Sequence, residues 1–240
     1  MRASELSQEN YFRGLIYGDA GTGKTCLAAS FPGPIEYWDF DSKLTSAVRY
    51  LPSIGKAEQL QQIDVYQFGG LPVKERIPAW EARSRLIDAA VAAKQPLHFK
   101  TLVLDSLTMF SYFLMEDYVN RSQLGIKRAA NSYSQQDYGI FASHMTRILT
   151  GILTLKANVV VIGHIDTDKD ENTGMIVRKP LVTGQKIAPL LPAWFEDVYV
   201  ARVDKDGKRF LQTQPADGYM ARGQRGLAKQ IPMLVEELLK

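Results

Sequence analysis

The sequence predicts an α/β fold, in which helices flank a mainly parallel central sheet and β-hairpins follow at the C-terminal end. Three observations support this prediction. Short apolar runs alternate with helical stretches through roughly the first two thirds of the chain, the pattern of a sheet with helices packed on its faces. A glycine-rich loop separates the first predicted strand from the first predicted helix. After Gly163 the chain changes to extended segments joined by turns.

The core elements are predicted from hydrophobic periodicity and from turn residues. Strands are expected at residues 11–17, 35–39, 63–68, 101–104 and 158–163. Helices are expected at residues 24–30, 79–94, 107–119 and 138–155, with a helix and loop at 43–62. The helix at 79–94 carries apolar residues at helical spacing and stops before Pro96, which does not continue a helix.

The C-terminal part is expected to be rich in β-structure. Residues 165–182 are predicted to form a hairpin or long β-loop around a turn at 170–174, and residues 195–203 and 209–214 to form a second hairpin. Residues 219–222 are predicted to add a strand. No linker or repeat interrupts the chain, so we expect a single domain over residues 1–240. Its parts are a core at about 11–164, a β-rich part at about 165–226 and a terminal helix at about 230–240.

The composition excludes several protein classes. The 240 residues are 45% hydrophobic and 23% charged, ordinary globular values that exclude disordered, collagenous and low-complexity chains. The single cysteine excludes an internal disulfide and a Cys-x-x-Cys metal site. The polar N-terminus has no apolar signal core, and no apolar run approaches the roughly 20 residues that span a bilayer. We therefore expect a cytoplasmic protein with no membrane partner. The net charge of +3 permits a polyanionic partner but does not argue for one.

A phosphate-binding loop is predicted at residues 18–25, which match the pattern G-x-x-x-x-G-K-[ST] between a predicted strand and a predicted helix. Its glycines let backbone N–H groups face the phosphates, and the helix N-terminus adds positive potential. Lys24 is expected to reach the β- and γ-phosphates of ATP, and the Thr25 hydroxyl to ligate Mg²⁺. The expected ATP-binding residues are Gly18, Asp19, Ala20, Gly21, Thr22, Gly23, Lys24, Thr25 and Cys26. Cys26 also fits the alternative of a small core residue.

Acidic residues at strand ends are the candidates for holding Mg²⁺ and for activating water. Asp105 ends a buried strand, where open α/β sheets place their ligands, so it is expected to hold the metal with Thr25. The alternative is that Asp105 caps the helix that follows. Asp41 and Asp39 end the strand after the P-loop helix, and either is a candidate for orienting the attacking water. Asp41 also fits a cap of the next helix. His164 ends another strand and is a candidate sensor of the γ-phosphate or a hydrogen-bonded structural histidine.

The order of these motifs resembles the RecA-type ATPase core, because GDAGTGKT is followed by WDFD, TLVLDS and VVVIGH and then by a β-loop with TGQK. It is similar above all to the short phage-encoded RecA-like ATPases of single-strand annealing and recombination, through the segments QQDYG and NVVVIGH. The resemblance covers roughly residues 11–225. It implies a RecA-like ATPase that hydrolyses ATP with Mg²⁺, forms a homo-oligomeric ring or filament and binds single-stranded DNA. It also implies the cytoplasm of a bacterial host, with a single-strand-binding protein as a candidate partner.

The resemblance also assigns individual residues. The family's catalytic carboxylate corresponds to Asp41, which is one methylene shorter than the Glu of RecA recombinases, and its sensor glutamine corresponds to His164. Two DNA-binding loops correspond to about 120–136 and 167–186. Their candidate residues are Arg121, Lys127, Arg128, Tyr133, Lys169, Arg178, Lys179 and Lys186. Cations bind the phosphodiester and aromatic rings stack on bases. Because the second loop also contains several acidic residues, a solvated loop of mixed charge fits its sequence equally well.

The segment YMARGQR resembles the element with which RecA-fold hexameric helicases reach a neighbour's γ-phosphate. In that comparison Arg222 or Arg225 would stabilise the transition state in an adjacent subunit. A basic surface turn is the alternative. Three other functions stay open: a helicase-loader-like or remodelling ATPase that acts on protein, an inactive nucleotide-binding scaffold, and a small-molecule kinase. The kinase is least favoured, because the β-rich part after Gly163 supplies no arginine-rich lid.

Overall fold

The computed structural model describes residues 11–93, 96–119, 133–171, 174–184 and 187–240. Ten strands are present in these residues. They are β1 (Arg13–Gly18), β2 (Ile35–Asp39), β3 (Ile63–Gln67), β4 (Thr101–Asp105), β5 (Asn158–Gly163), β6 (Ile165–Lys169), β7 (Ile176–Pro180), β8 (Asp197–Val203), β9 (Arg209–Gln212) and β10 (Gln230–Pro232).

Eight of these strands form one sheet in the order β10-β9-β8-β1-β5-β4-β2-β3. The pairs from β8 through β3 are all parallel, and β9 and β10 extend the sheet with antiparallel pairs. β6 and β7 pair antiparallel as a separate hairpin. The predicted fold class is therefore confirmed: a mainly parallel sheet with C-terminal antiparallel strands. The carboxyl ends of β1, β2, β4 and β5 meet along one edge, which is where parallel sheets bind ligands.

Helices cover both faces of the sheet. They are α1 (Lys24–Ala29), α2 (Thr45–Ser53), α3 (Val73–Ala93), α4 (Leu107–Phe113), α5 (Gln135–Leu153), α6 (Leu191–Trp194) and α7 (Val235–Leu238). A π-helical stretch, Leu114–Val119, follows α4, and 3₁₀ turns lie at Ala57–Gln62 and Ala188–Leu190. No helix among the described residues is both long and apolar enough to cross a membrane.

Two apolar clusters show why the sheet is covered on both sides. Along β1, Leu15 and Tyr17 belong to one cluster and Ile16 to the other, because successive side chains of a strand point to opposite faces. The first cluster includes α3, α4 and α5, and the second includes α1, α2 and α7. Each face thus buries its own helical layer, and the P-loop edge between the layers stays accessible.

Three elements differ from the sequence prediction. The helix predicted at 79–94 begins at Val73 and accommodates Pro78 internally. The strand predicted at 219–222 makes only isolated bridges, Arg178↔Tyr219 and Val198↔Arg222. The terminal helix predicted at about 230–240 is present only as the four-residue α7, because β10 occupies the beginning of that range. Pro232 has no backbone N–H to donate to a neighbouring strand. It is tolerated at the end of β10 because β10 is an edge strand. The assignment of residues 1–240 to one domain stays a prediction.

Candidate active site

The P-loop connects β1 to α1 with the geometry that its glycines require. Gly18 ends β1, and a Cβ at this position would overlap the carbonyl oxygen of Ala201 on β8, so only glycine fits. Gly23 precedes α1 with φ 97°, a left-handed conformation that glycine adopts without strain. Helix α1 begins at Lys24, and the Leu27 N–H donates to the Gly23 carbonyl at 3.0 Å.

Lys24 is folded back onto its own loop. Its Nζ donates to the carbonyl oxygens of Gly18 (2.9 Å) and Asp19 (2.7 Å) and lies 3.3 Å from Thr22 Oγ1. The residue is 5% exposed, and burial lowers the pKa of Lys24 to about 8, against the opposing charges of nearby acids such as Asp105. The ammonium group is therefore placed to exchange loop carbonyls for phosphate oxygens, and this exchange would raise its pKa.

This low pKa predicts that nucleotide binding depends on pH. Below about pH 8 Lys24 is already charged, so affinity is expected to change little. Above pH 8 the free protein loses the proton that the bound phosphates stabilise, so the Kd is expected to rise by up to about tenfold per pH unit. Titration calorimetry at pH 9, in two buffers of different ionisation enthalpy, should detect uptake of up to one proton. A Lys24→Arg variant should show no uptake, because its guanidinium stays protonated; uptake equal in the two proteins would contradict the assignment to Lys24.

Thr25 and Asp105 lie in direct contact. The Thr25 hydroxyl donates to Asp105 Oδ2 at 2.7 Å, and the Tyr37 hydroxyl donates to the same oxygen at 2.6 Å. Burial raises the pKa of Asp105, and the two hydroxyl donors oppose that rise. A hydroxyl beside a carboxylate is a pair of hard oxygen ligands, the kind that Mg²⁺ prefers. The cap of α4 is Ser106, whose side chain accepts from the Met109 N–H, so Asp105 is not used as the helix cap.

Asp41 is held by three neighbours. Ser106 Oγ donates to its Oδ1 at 2.6 Å, His164 Nε2 lies 2.8 Å from its Oδ2, and Lys43 Nζ lies 3.7 Å from the same oxygen. Burial alone would raise the pKa of Asp41, but the two hydrogen bonds and the nearby cationic charges lower it below its ordinary value. The side chain is 3% exposed. Asp41 is thus an ionised acceptor at neutral pH, and α2 takes no side-chain cap from it.

Asp39 has a different environment from Asp41. It is 1% exposed, and its Oδ1 accepts the N–H groups of Asp41 (3.2 Å) and Ser42 (2.7 Å). Its buried Oδ2 has no hydrogen-bond partner among the residues that the structure describes, and burial raises the pKa of Asp39. This carboxyl shapes the turn after β2, whereas Asp41 faces the cavity described next.

One cavity of about 890 Å³ collects most of the residues predicted to bind nucleotide or metal or to act in catalysis. It is lined by the P-loop and α1, by the segment from Asp41 to Lys56, by the β8–β9 turn and by residues 232–236. The predicted site residues that line it are Ala20, Gly21, Gly23, Lys24, Thr25, Cys26, Asp41, Asp105 and His164. Ligand pockets usually measure roughly 300–1,000 Å³, so the cavity has the size for a nucleotide.

Arg222 and Arg225 do not line this cavity. Arg222 is exposed, and its guanidinium donates to the Pro192 carbonyl oxygen. The Arg225 side chain is 10% exposed and forms a buried ion pair with Asp197 (2.9 Å). A trans role for Arg225 stays a prediction, and it requires this ion pair to break.

The candidate DNA-binding residues divide into two groups. Arg121, Lys127, Arg128 and Lys186 lie outside the described residues. In the β6–β7 hairpin, Lys169 is exposed, whereas Lys179 pairs with Asp168 at 3.2 Å. Arg178 donates to the Asp217 carbonyl oxygen and packs 5.0 Å from the Tyr219 ring centroid. Tyr133 packs edge-on against the Tyr138 ring near the start of α5.

Several residues of the site escaped sequence reasoning. Tyr37 and Ser106 bind the two key carboxylates, and Arg209 and Met233 close the cavity from the C-terminal side. Ser106 had a usable signal, because a serine after a strand and before a helical apolar run is a common cap. Arg209 and Met233 had none, because their position depends on how β8, β9 and β10 extend the sheet.

A protein-family profile described as "AAA domain" matches residues 10–225. Comparison with curated proteins gives no match. Among solved structures, the crystal structure of the RadB recombinase matches with a TM-score of 0.49 and 16% identity, covering 82% of this chain and 78% of that chain. This identity is too low to transfer an activity.

Proposed function

Because the chain belongs to the AAA-domain family, we propose that it is a Mg²⁺-dependent ATPase that acts in DNA recombination. The observation that carries the ATPase proposal is the arrangement around the cavity: Lys24 and the Thr25–Asp105 pair lie beside a carboxylate, Asp41, that two hydrogen bonds keep ionised. Phosphate binding, metal binding and water activation each have a separate group.

The chain's own residues would bind the nucleotide as follows. Lys24 would exchange its bonds to the Gly18 and Asp19 carbonyls for phosphate oxygens, and the loop N–H groups would contact the same phosphates. Thr25 and Asp105 would hold Mg²⁺, with Tyr37 fixing the orientation of the Asp105 carboxylate. Bound Mg²⁺ would neutralise charge that develops on the phosphates.

Asp41 is the proposed water-orienting residue. A carboxylate accepts about four hydrogen bonds, and Ser106 and His164 use two of these positions, so Asp41 keeps acceptor capacity on the cavity side. Its lowered pKa suits orientation of the water more than storage of its proton. His164 N–H donates to Thr108 Oγ1, and the Leu181 N–H donates to the His164 carbonyl. This connects His164 to the end of the β6–β7 hairpin, in support of a sensor role.

Single-stranded DNA is the proposed partner, and the hairpin the proposed contact. Lys169 projects from an exposed part of the hairpin, and Arg178 and Lys179 are close by in the same two-stranded sheet. The relation to phage-encoded annealing ATPases, assembly into a ring or filament, and a location in the cytoplasm of a bacterial host belong to the same proposal. The proposal also includes contacts by Arg222 or Arg225 with the active site of an adjacent subunit, and a single-strand-binding protein as a partner.

Fluorescence anisotropy of a labelled single-stranded oligonucleotide tests the DNA part. At fixed salt we expect tighter binding with ATP than with ADP or without nucleotide. Lys169→Glu should weaken binding in every nucleotide state, and loss of one phosphate contact should reduce the slope of log affinity against log salt by about 0.7. Lys205→Glu, in the exposed β8–β9 turn, is the charge-matched control and should have no effect. Absence of binding in all nucleotide states would remove DNA from the proposal.

One observation favours a second function, an ATPase that remodels a protein partner. At the hairpin tip, Met175 and Ile176 are 63% and 49% exposed, an apolar pair suited to contact protein. In the same hairpin, Lys179 forms ion pairs with the acidic side chains of Asp166 and Asp168. This function predicts an ATPase rate that rises with a protein partner and does not respond to DNA.

A further inference from the structure

The turn between β8 and β9 presents two cations to the candidate nucleotide cavity. Asp204 Oδ1 accepts the N–H groups of Asp206 (3.0 Å) and Lys208 (2.8 Å), and Gly207 adopts φ 81°. Lys208 and Arg209, at the end of this closed turn, line the cavity. β10 pairs with β9 through Pro232↔Phe210.

Arg209 lies directly over the P-loop. A Cβ placed on Gly23 would be 3.1 Å from Arg209 Cδ and 3.3 Å from its Nε, and Met233 Cε would be 3.9 Å away. The guanidinium also acts on Cys26: burial raises the pKa of the Cys26 thiol, and the charge of Arg209 opposes that rise. Arg209 therefore faces the first turn of α1 at both Gly23 and Cys26.

The other cations of the cavity already have partners. Lys24 donates to loop carbonyls, Lys43 lies 3.7 Å from Asp41, and Lys56 pairs with Glu236 at 3.3 Å. Within residues 11–93, 96–119, 133–171, 174–184 and 187–240, the side chains of Lys208 and Arg209 have no hydrogen-bond or carboxylate partner. Both side chains are exposed to solvent and border the phosphate loop, so they are available to an anionic ligand of that loop.

We propose that Arg209 binds the α- or β-phosphate of the nucleotide held by the P-loop of its own chain. The proposal rests on nucleotide binding by this loop. In P-loop proteins the loop backbone cradles the α- and β-phosphates, and Arg209 lies against that backbone at Gly23. Asp41 and His164 extend instead from the ends of β2 and β5. Because ATP and ADP share these two phosphates, Arg209 contributes to the affinity for both nucleotides.

Titration calorimetry with ATP and with ADP tests this contact. Arg209→Ala is expected to raise both Kd values by about tenfold or more, as for loss of one charged hydrogen bond. The Kd values of Arg209→Lys should fall between those of Arg209→Ala and those of the wild type. Lys205→Ala, in the same exposed turn but outside the lining of the cavity, is the matched control with unchanged affinity.

Two results would overturn the proposal. In the first, Arg209→Ala binds both nucleotides as tightly as the wild type. In the second, Arg209→Ala weakens the binding of ATP but not of ADP, or lowers kcat while the affinity for ADP stays the same. Either result would indicate a contact with the γ-phosphate. Lys24→Ala, measured alongside, separates failure of this contact from failure of the nucleotide site. If Lys24→Ala also binds normally, the proposed function itself fails.

Cys26 provides a second readout that does not depend on turnover. It is the only cysteine in the chain and lines the same cavity. Saturating ADP should protect the thiol from maleimide, and Arg209→Ala should need about tenfold or more ADP for half-protection. Half-protection at the same ADP concentration in both proteins would contradict the proposal.

Discussion

Replacement of Asp41 by Asn is expected to lower the ATP turnover number about a hundredfold or more while ATP affinity changes little. Loss of a group that activates the nucleophile typically costs between about 10² and 10⁴ in rate. The amide keeps the size of the carboxylate but loses its charge. Ser106 and His164 bind different oxygens of Asp41, and the NH₂ end of the amide cannot accept the hydrogen bond at its position. Steady-state phosphate release over a range of ATP concentrations separates kcat from KM.

Two further variants make this test specific. Asp41→Glu restores the charge with one more methylene, so it should recover part of the turnover that Asn loses. Glu58→Gln removes an exposed carboxylate that does not line the cavity and should leave the rate unchanged. A turnover number within a few-fold of the wild type for Asp41→Asn would exclude Asp41 as the water-orienting residue. The Asp39 carboxyl would then be the next candidate.

Lys24→Ala is expected to weaken ATP binding roughly ten- to a hundredfold and to remove measurable turnover. A hydrogen bond to a charged group contributes about 1.5–3 kcal/mol. Lys24 is expected to contact the β- and γ-phosphates, and ADP has no γ-phosphate. ATP should therefore lose more affinity than ADP. Titration calorimetry with each nucleotide measures both losses directly.

The control for Lys24 is a lysine at the other edge of the sheet. Lys100 is exposed and immediately precedes β4, at the amino ends of the strands, so Lys100→Ala should bind ATP normally. Thermal unfolding of both variants checks that they are folded. Equal ATP affinity in Lys24→Ala and in the wild type would show that nucleotide binds elsewhere or not at all.

The parts of the site that are contiguous in sequence were predictable from the sequence. Residues 18–25 combine a strand end, a glycine loop and a helix start within one segment, so their geometry follows from local rules. Asp105 was predictable for a similar reason, because it ends a buried apolar strand. The fold class followed from the same alternation of strands and helices, and the structure confirms it.

Contacts between distant segments were beyond sequence reasoning. Asp41 and His164 were predicted separately, but their hydrogen bond depends on β4 lying between β2 and β5 in the sheet. Arg225 looked like a free surface cation in sequence, and only the folded chain shows its pairing with the buried Asp197. Arg209 reaches the P-loop because β8 pairs with β1, a register that no local pattern encodes.

Hydrolysis of ATP with Mg²⁺ in this cavity can be tested in one assay. Phosphate release by the wild-type protein is measured with ATP, in Mg²⁺ and in EDTA, with and without single-stranded DNA, beside Lys24→Ala. We expect release that requires Mg²⁺ and is lost in Lys24→Ala. Wild-type protein that binds ATP but releases no phosphate under any of these conditions, or release that persists in Lys24→Ala, would contradict this expectation.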